Sequence, residues 1–269
     1  MASLPHEFVV AIPSFRRPHL LMSKTFALCL RWNIPLHRIH VFVVEDELAA
    51  YSSILSPYPA VRIVTGPLGL HHMRNFIADF FPEGTPILQM DDDIGEMYQM
   101  KVDESIQDVK CSRRYPLHPI DPSEMCDWIE LAFATARECG SSLFGVYPVK
   151  NGYFMKDLPE TTRDLRFCVG VFWGIWNRRD LKLQIQEKED VERTLWCFER
   201  DHCVVRFNHV VPSTTYYRTL GGMQSLGTDR KLEGQASCKY LMQRWPQWCR
   251  LRTTKKSGHW EVRLGLFTP

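Results

Sequence analysis

Apolar runs rich in β-branched residues alternate with helix-patterned segments through residues 7–92. The runs are EFVVAI (7–12), RIHVFVVE (38–45), AVRIVTG (60–66) and TPILQMDD (85–92). Between them, 18–32 carries Leu20, Leu21, Phe26, Leu28 and Leu30, and 70–81 repeats Leu70, Met73, Ile77 and Phe80 or Phe81 at helical spacing. Strands separated by helices imply right-handed βαβ units and a mixed, mostly parallel sheet flanked by helices, an α/β fold. In such a sheet ligands bind beyond the carboxyl ends of the strands. Three polar clusters fall there: Pro13-Ser14-Phe15-Arg16, Glu45-Asp46-Glu47 and Asp91-Asp92-Asp93.

The second half is more mixed. Ser123 is the expected N-cap of a helix over 124–139, closed by Gly140. SLFGVYPV (142–149), LRFCVGVFWGIW (165–176) and CVVRFNHVV (203–211) read as strands. EDVERTLWCFERD (189–201) reads as an amphipathic helix with Val191, Leu195 and Phe198 on one stripe. No Pro/Gly-rich linker interrupts the chain, so 1–269 is expected to be one domain. The opening residues read as a strand rather than a signal peptide, and the longest apolar run, 167–176, is too short to span a bilayer. Nine cysteines with no CxxC pair fit free thiols better than a disulfide framework or a zinc site. The expectation is a soluble intracellular protein with no membrane partner, in the nucleus or cytoplasm, or a viral or phage protein acting in its host.

Net charge is only +2, but residues 230–263 hold nine Lys/Arg against Glu233 and Glu261. That local +7 leaves −5 for the rest of the chain. With Trp245, Trp248 and Trp260 interleaved, the segment reads as a surface for a polyanion such as DNA, or as a solvated basic face. Arg250, Arg252, Lys255 and Lys256 are its candidate phosphate contacts.

LQMDDDIGEM (88–97) sets three adjacent carboxylates behind a buried run. Unpaired burial of such charges is expensive, and a hard divalent cation, Mg²⁺ or Mn²⁺, is the usual partner for carboxylate oxygens. On an extended segment Asp91 and Asp93 point one way and Asp92 the other. The pattern alone suits a nucleotide-sugar transferase, a metal-dependent phosphatase or nuclease, or a loop of solvent-facing acids.

The order of motifs narrows this. AIPSFRRP…VFVVEDE…GLHHMRNFIADFFPEGTPILQMDDDI resembles the TET/JBP-associated glycosyltransferases, the group that includes the base J glucosyltransferase. The resemblance covers residues 7–100 well and 165–225 more loosely. It implies a GT-A-type Rossmann-like domain, with 1–100 as the nucleotide-sugar-binding half and 101–269 as the acceptor half. It implies that Pro13, Ser14, Arg16, Glu45, Arg74, Asp91 and Asp92 address a UDP-sugar, UDP-glucose first, and that Asp91 and Asp93 hold Mn²⁺ or Mg²⁺ on its diphosphate. A late histidine completes such metal sites, and His259 and His209 are the candidates. GVFWGIWNRRD (170–180) resembles the family's glycine-containing loop, and KED (188–190) its acidic element. Asp190 is then the catalytic base with Glu189 as substitute, although an Asp at a helix start is also an ordinary N-cap. Trp173 is a candidate wall of the acceptor pocket, facing DNA. The implied acceptor is the hydroxymethyl group of 5-hydroxymethyluracil or 5-hydroxymethylcytosine in double-stranded DNA, with a functional link to a TET/JBP-type dioxygenase. A glycan or protein acceptor, or a non-catalytic binding module on a transferase fold, remain the alternatives.

Overall fold

The computed structural model describes residues 8–214, 222, 230–252 and 260–267. The first half builds β1 (Val9–Pro13), α1 (Pro18–Leu21), a π-helical turn (Met22–Phe26), α2 (Ala27–Arg31), β2 (Ile39–Val43), α3 (Leu48–Leu55), β3 (Arg62–Thr65), α4 (Leu70–Phe80) and β4 (Pro86–Met90). Next come β5 (Glu96–Met100), β6 (Leu117–Pro119), α5 (Met125–Glu138), β7 (Leu143–Val146), β8 (Thr161–Thr162) and β9 (Phe172–Trp176). The chain continues through α6 (Glu189–Asp201), β10 (Val205–Phe207), β11 (Val210–Ser213), α7 (Arg230–Arg244), β12 (Cys249–Arg252) and β13 (Glu261–Leu264).

One eight-stranded sheet, in the order β3-β2-β1-β4-β9-β7-β10-β8, runs through both halves of the chain. β3, β2, β1 and β4 are mutually parallel. β9 lies antiparallel between β4 and β7, and β10 is again parallel to β7. This is the mixed, mostly parallel sheet flanked by helices that the alternation of strands and helices implies. A sheet covered on both faces needs strands that are apolar throughout. β2 and β4 are accordingly buried at every position. Alternate residues serve opposite layers: Val10, Ile12, Leu88 and Met90 pack with α2 and α5, whereas Ala11, Phe42 and Ile87 pack with α4, α6 and α7. Gly174 is required in β9, because the Phe144 ring occupies the space its Cβ would need.

Several expectations change. The helix over 18–32 is broken by the π turn, and Leu48–Leu55 adds a helix between the second and third strands. Ser123 does not cap α5: it lies in a 3-10 turn capped by Asp121, whose side chain accepts from the Ser123 N–H. Residues 203–211 split between two sheets, because β11 leaves the main sheet and pairs with β5. Of 165–176 only Phe172–Trp176 is strand, and the residues before it form a loop that reaches the carboxyl end of β4. No described helix is long and apolar enough to cross a membrane.

Candidate active site

β4 ends at Met90, and the chain turns at Asp92 and Asp93. The strict alternation expected of an extended triplet is therefore lost. Asp91 faces the Arg74 guanidinium at 2.8 Å. Asp92 accepts from Ser14 Oγ at 2.6 Å and from Arg17 at 3.2 Å. Asp93 lies 3.9 Å from that same Arg17, so the acids divide as one against two. Arg74 is 3% exposed and also donates to Gln89 and to the Gly170 carbonyl.

Arg17, Arg74 and the nearby Lys24 leave all three carboxylates raised. Burial pushes Asp92 up to about 6, with the Ser14 hydroxyl and Arg17 pulling it back. Asp91 is also pushed up to about 6, by desolvation first, against the pull of Arg74; Asp93 and Asp190 raise it further. Its side chain remains 34% exposed, so water offsets more of that penalty than at Asp92. Asp93 is raised by burial and by Asp92.

The first strand ends are rearranged in detail. Ser14 is buried and joins the Tyr51 hydroxyl to Asp92. Pro13 closes β1 beneath it. Arg16 is exposed, holds a left-handed φ of 58° and rests over Phe15, and it is the neighbouring Arg17 that meets Asp92. Gly222 sits so close to the Arg17 guanidinium that a Cβ there would come within 2.6 Å. Glu45 is exposed and outside the network; Glu47 is the acid of its cluster that reaches in, accepting from the Arg16 N–H. Nothing in RRP or EDE distinguishes one neighbour from the other, except that Arg17 directly precedes the proline that opens α1.

α6 supplies the second pair of acids. Its N-cap is Lys188, in the left-handed region at φ 63°, and no side chain caps it. Asp190 is therefore not the helix cap. Its carboxylate accepts from the Gly170 N–H at 3.2 Å and the Val191 N–H at 2.9 Å, tying the glycine loop to α6. Glu189 pairs with Arg193, which is fully buried and also donates to the Cys168 carbonyl. Burial pushes Asp190 up to about 6, the Glu189 charge adds to this, and Arg193 and the two N–H groups oppose it.

Trp173 corrects its own expectation. It is 2% exposed, donates from Nε1 to the Gly170 carbonyl, and carries Arg193 on its ring at 3.6 Å and Arg74 at 5.4 Å. It is the floor under both sets of acids and cannot touch DNA.

Asp91, Glu189 and Asp190 open into one cavity of about 910 Å³, whose other walls include Lys188, Arg206 and Arg252. The basic segment contributes less surface than its composition suggests. Trp245 is buried, Trp248 packs edge-on against Phe198, Arg244 pairs with Glu199, and Arg230 pairs with Glu187. Arg250 and Arg252 are exposed on β12. Lys255, Lys256 and His259 lie outside the described residues. His209 bonds the Leu158 carbonyl through Nε2. Among the described residues no group of three or more His, Cys, Asp or Glu side chains is placed to hold a metal ion.

No protein-family model matches the chain, and no curated protein matches it in sequence. Solved structures resemble it distantly. S. aureus TarS 1–349 superposes with a TM-score of 0.45 at 13% identity, over 74% of this chain and 57% of that one. The chain thus spans little more than half of the TarS chain. The 4-diphosphocytidyl-2C-methyl-D-erythritol synthase of Anaerococcus prevotii gives 0.44 at 12% identity, over 78% and 92% of the two chains. A CMP:2-keto-3-deoxy-manno-octonic acid synthetase complexed with CTP gives 0.42 at 10% identity, over 77% and 91%.

Proposed function

We propose that the protein is a metal-dependent, inverting glycosyltransferase that takes a sugar, glucose first, from a UDP-sugar. The observation that carries the reading is the shared cavity. Asp91, backed by Arg74, and Asp190, held only by backbone N–H groups, open into it from different parts of the fold. On this reading Asp190 accepts the proton of the acceptor hydroxyl as its oxygen bonds the sugar carbon and the diphosphate leaves from the opposite side. A carboxylate pushed up to about 6 is still ionised at neutral pH and is a better base than an ordinary aspartate. Glu189, committed to Arg193, is poorly placed for that role.

The triplet suits a divalent ion by its carboxylate oxygens: Asp91 lines the cavity and stays 34% exposed, and Asp93 is close enough for its charge to raise Asp91. Asp91 and Asp93 would hold Mn²⁺ or Mg²⁺, which when bound neutralises the diphosphate leaving group. Arg74 orients Asp91, and Asp92, buried and taken up by Ser14 and Arg17, holds those two groups at the end of β1.

The acceptor we favour is a 5-hydroxymethylpyrimidine in double-stranded DNA, made by a TET/JBP-type dioxygenase. The sequence resemblance supports it, as do Arg250 and Arg252 on the exposed β12 and Arg206 and Arg252 in the cavity wall. A glycan or protein acceptor is the second reading, favoured by the burial of Trp245 and the pairing of Arg230 and Arg244, which shrink the basic face. The test is to incubate the protein with Mn²⁺, a panel of UDP-sugars and hydroxymethylpyrimidine DNA, then digest the DNA and weigh the nucleosides. A hexose-bearing nucleoside is expected. Unchanged nucleosides alongside UDP-sugar turnover would move the acceptor to the second reading.

A further inference from the structure

Behind the aspartate turn lies a side chain that none of the sequence motifs contains. Thr25 is fully buried. Its Oγ1 donates to the Asp91 carbonyl at 2.6 Å and accepts from the Ile94 N–H at 2.9 Å. One hydroxyl therefore brackets Asp92 and Asp93, closing the backbone on both sides of the turn. The ladder with β1 and β9 ends at Gln89 and Met90, so it does not reach these groups. A threonine inside a helix commonly turns its hydroxyl back on a carbonyl of the preceding turn. Here the hydroxyl serves a different element.

The backbone around Thr25 is unusual in the same place. Met22–Phe26 is a π-helical turn set between α1 and α2, the one π turn among the described residues. Single π turns within α-helices are rare and frequently mark functional sites. The segment also brings charge to the same turn: Arg17, just before α1, bonds Asp92, and the Lys24 Nζ comes within 3.7 Å of where a Cβ on Gly95 would stand, at the far end of the turn.

We infer that Thr25 is a positioning residue: its hydroxyl holds the Asp91–Asp93 turn in the shape that binds a divalent ion and the diphosphate of a nucleotide. The inference rests on the donor-site reading above. It separates the turn's shape, set by Thr25, from its charge, set by the aspartates and their cations.

The test uses Thr25→Val, which keeps the shape and removes the hydroxyl, and Thr25→Ser, which keeps the hydroxyl. Mn²⁺ binding, and UDP binding in the presence of Mn²⁺, are measured by calorimetry well below each melting temperature, with a thermal melt beside them. Thr25→Val leaves a buried N–H and carbonyl unpaired, and should weaken Mn²⁺-dependent UDP binding about tenfold or more. Thr25→Ser should bind within about threefold of wild type. Wild-type binding by a folded Thr25→Val protein would overturn the inference. So would equal weakening in both variants, which would assign the effect to the methyl group. Should Thr25→Val fail to fold, Thr25→Ser decides: a wild-type melt with weakened binding overturns the inference, and wild-type binding supports it. A wild-type protein that binds neither Mn²⁺ nor UDP would remove the donor-site reading and this inference with it, an outcome distinct from equal binding by wild type and variant.

Discussion

Two runs of adjacent acids reach the cavity, the first through Asp91 and the second through Glu189 and Asp190, and the fold neutralises them in opposite ways. At 91–93, three carboxylates face Arg17 and Arg74, and every one of them remains raised. At 189–190, the fully buried Arg193 pairs with Glu189, and the hydrogen bonds to the Asp190 carboxylate come, among the described residues, from two backbone N–H groups. On the function proposed above, the first arrangement keeps negative charge in reserve for a cation. The second, on the same reading, sets one acid aside as structure and leaves its neighbour available to take a proton. Adjacent, chemically similar residues thus acquire different work from their partners alone.

Removing the reserve on the first side should have the largest effect. Asp93→Ala is expected to abolish transfer and the divalent-ion requirement for UDP-sugar binding while the fold persists, as followed by activity, calorimetry and circular dichroism. Full activity of the wild type in EDTA would break the comparison at this end. On the second side, Asp190→Asn removes the proton acceptor. A loss of about 10²–10⁴ in kcat is expected, with near-normal donor binding and melting temperature. Activity within a few-fold of wild type would mean that another group takes the proton.

Glu189→Gln sharpens the contrast, because it should act on stability. It leaves Arg193 buried and unpaired, a change that typically costs about 3–5 kcal/mol. Denaturant unfolding checks this. A neutral effect on stability would show that the Trp173 face and the Cys168 carbonyl suffice to hold Arg193.

A smaller effect comes from pH. Asp91, Asp92 and Asp190 rise from 3.8 to about 6 in the fold, so between those values the native state holds more protons than the unfolded chain. Their contribution to stability is therefore greatest at the acid end of that window and declines as pH rises through about 6. A divalent ion should reverse part of the loss, so Mn²⁺ should raise the melting temperature above pH 6 and do little below it. Equal stabilisation at both pH values would indicate a cation site away from the triplet.

Much of this was legible in the chain. β1, β2 and β4 are buried on both faces, so their apolar runs are continuous and easy to read, and the polar residues that end them fall at one edge of the sheet. Which of two neighbours enters the network was not legible. Arg17 rather than Arg16, and Glu47 rather than Glu45, are chosen by turn geometry that composition does not carry. The tryptophans misled for a related reason. Trp245 follows Arg244 in the chain and Trp173 lies in the glycine-containing loop segment, yet their rings stack under buried or paired arginines instead of facing a ligand. Thr25 had no sequence signal, because its partners are backbone groups sixty-six and sixty-nine residues away.

The most direct test is UDP-sugar turnover with Mn²⁺, measured on both sides of pH 6 for the wild type and Asp190→Asn. If the two acid runs divide the work as argued, the wild type consumes donor with a rate that falls as pH drops through about 6, where Asp190 gains its proton. The Asn variant should be slow even above pH 6, where Asp91 and Asp190 of the wild type are both ionised. Donor left untouched by the wild type at every pH, or an Asn variant within a few-fold of wild type above pH 6, would contradict the account.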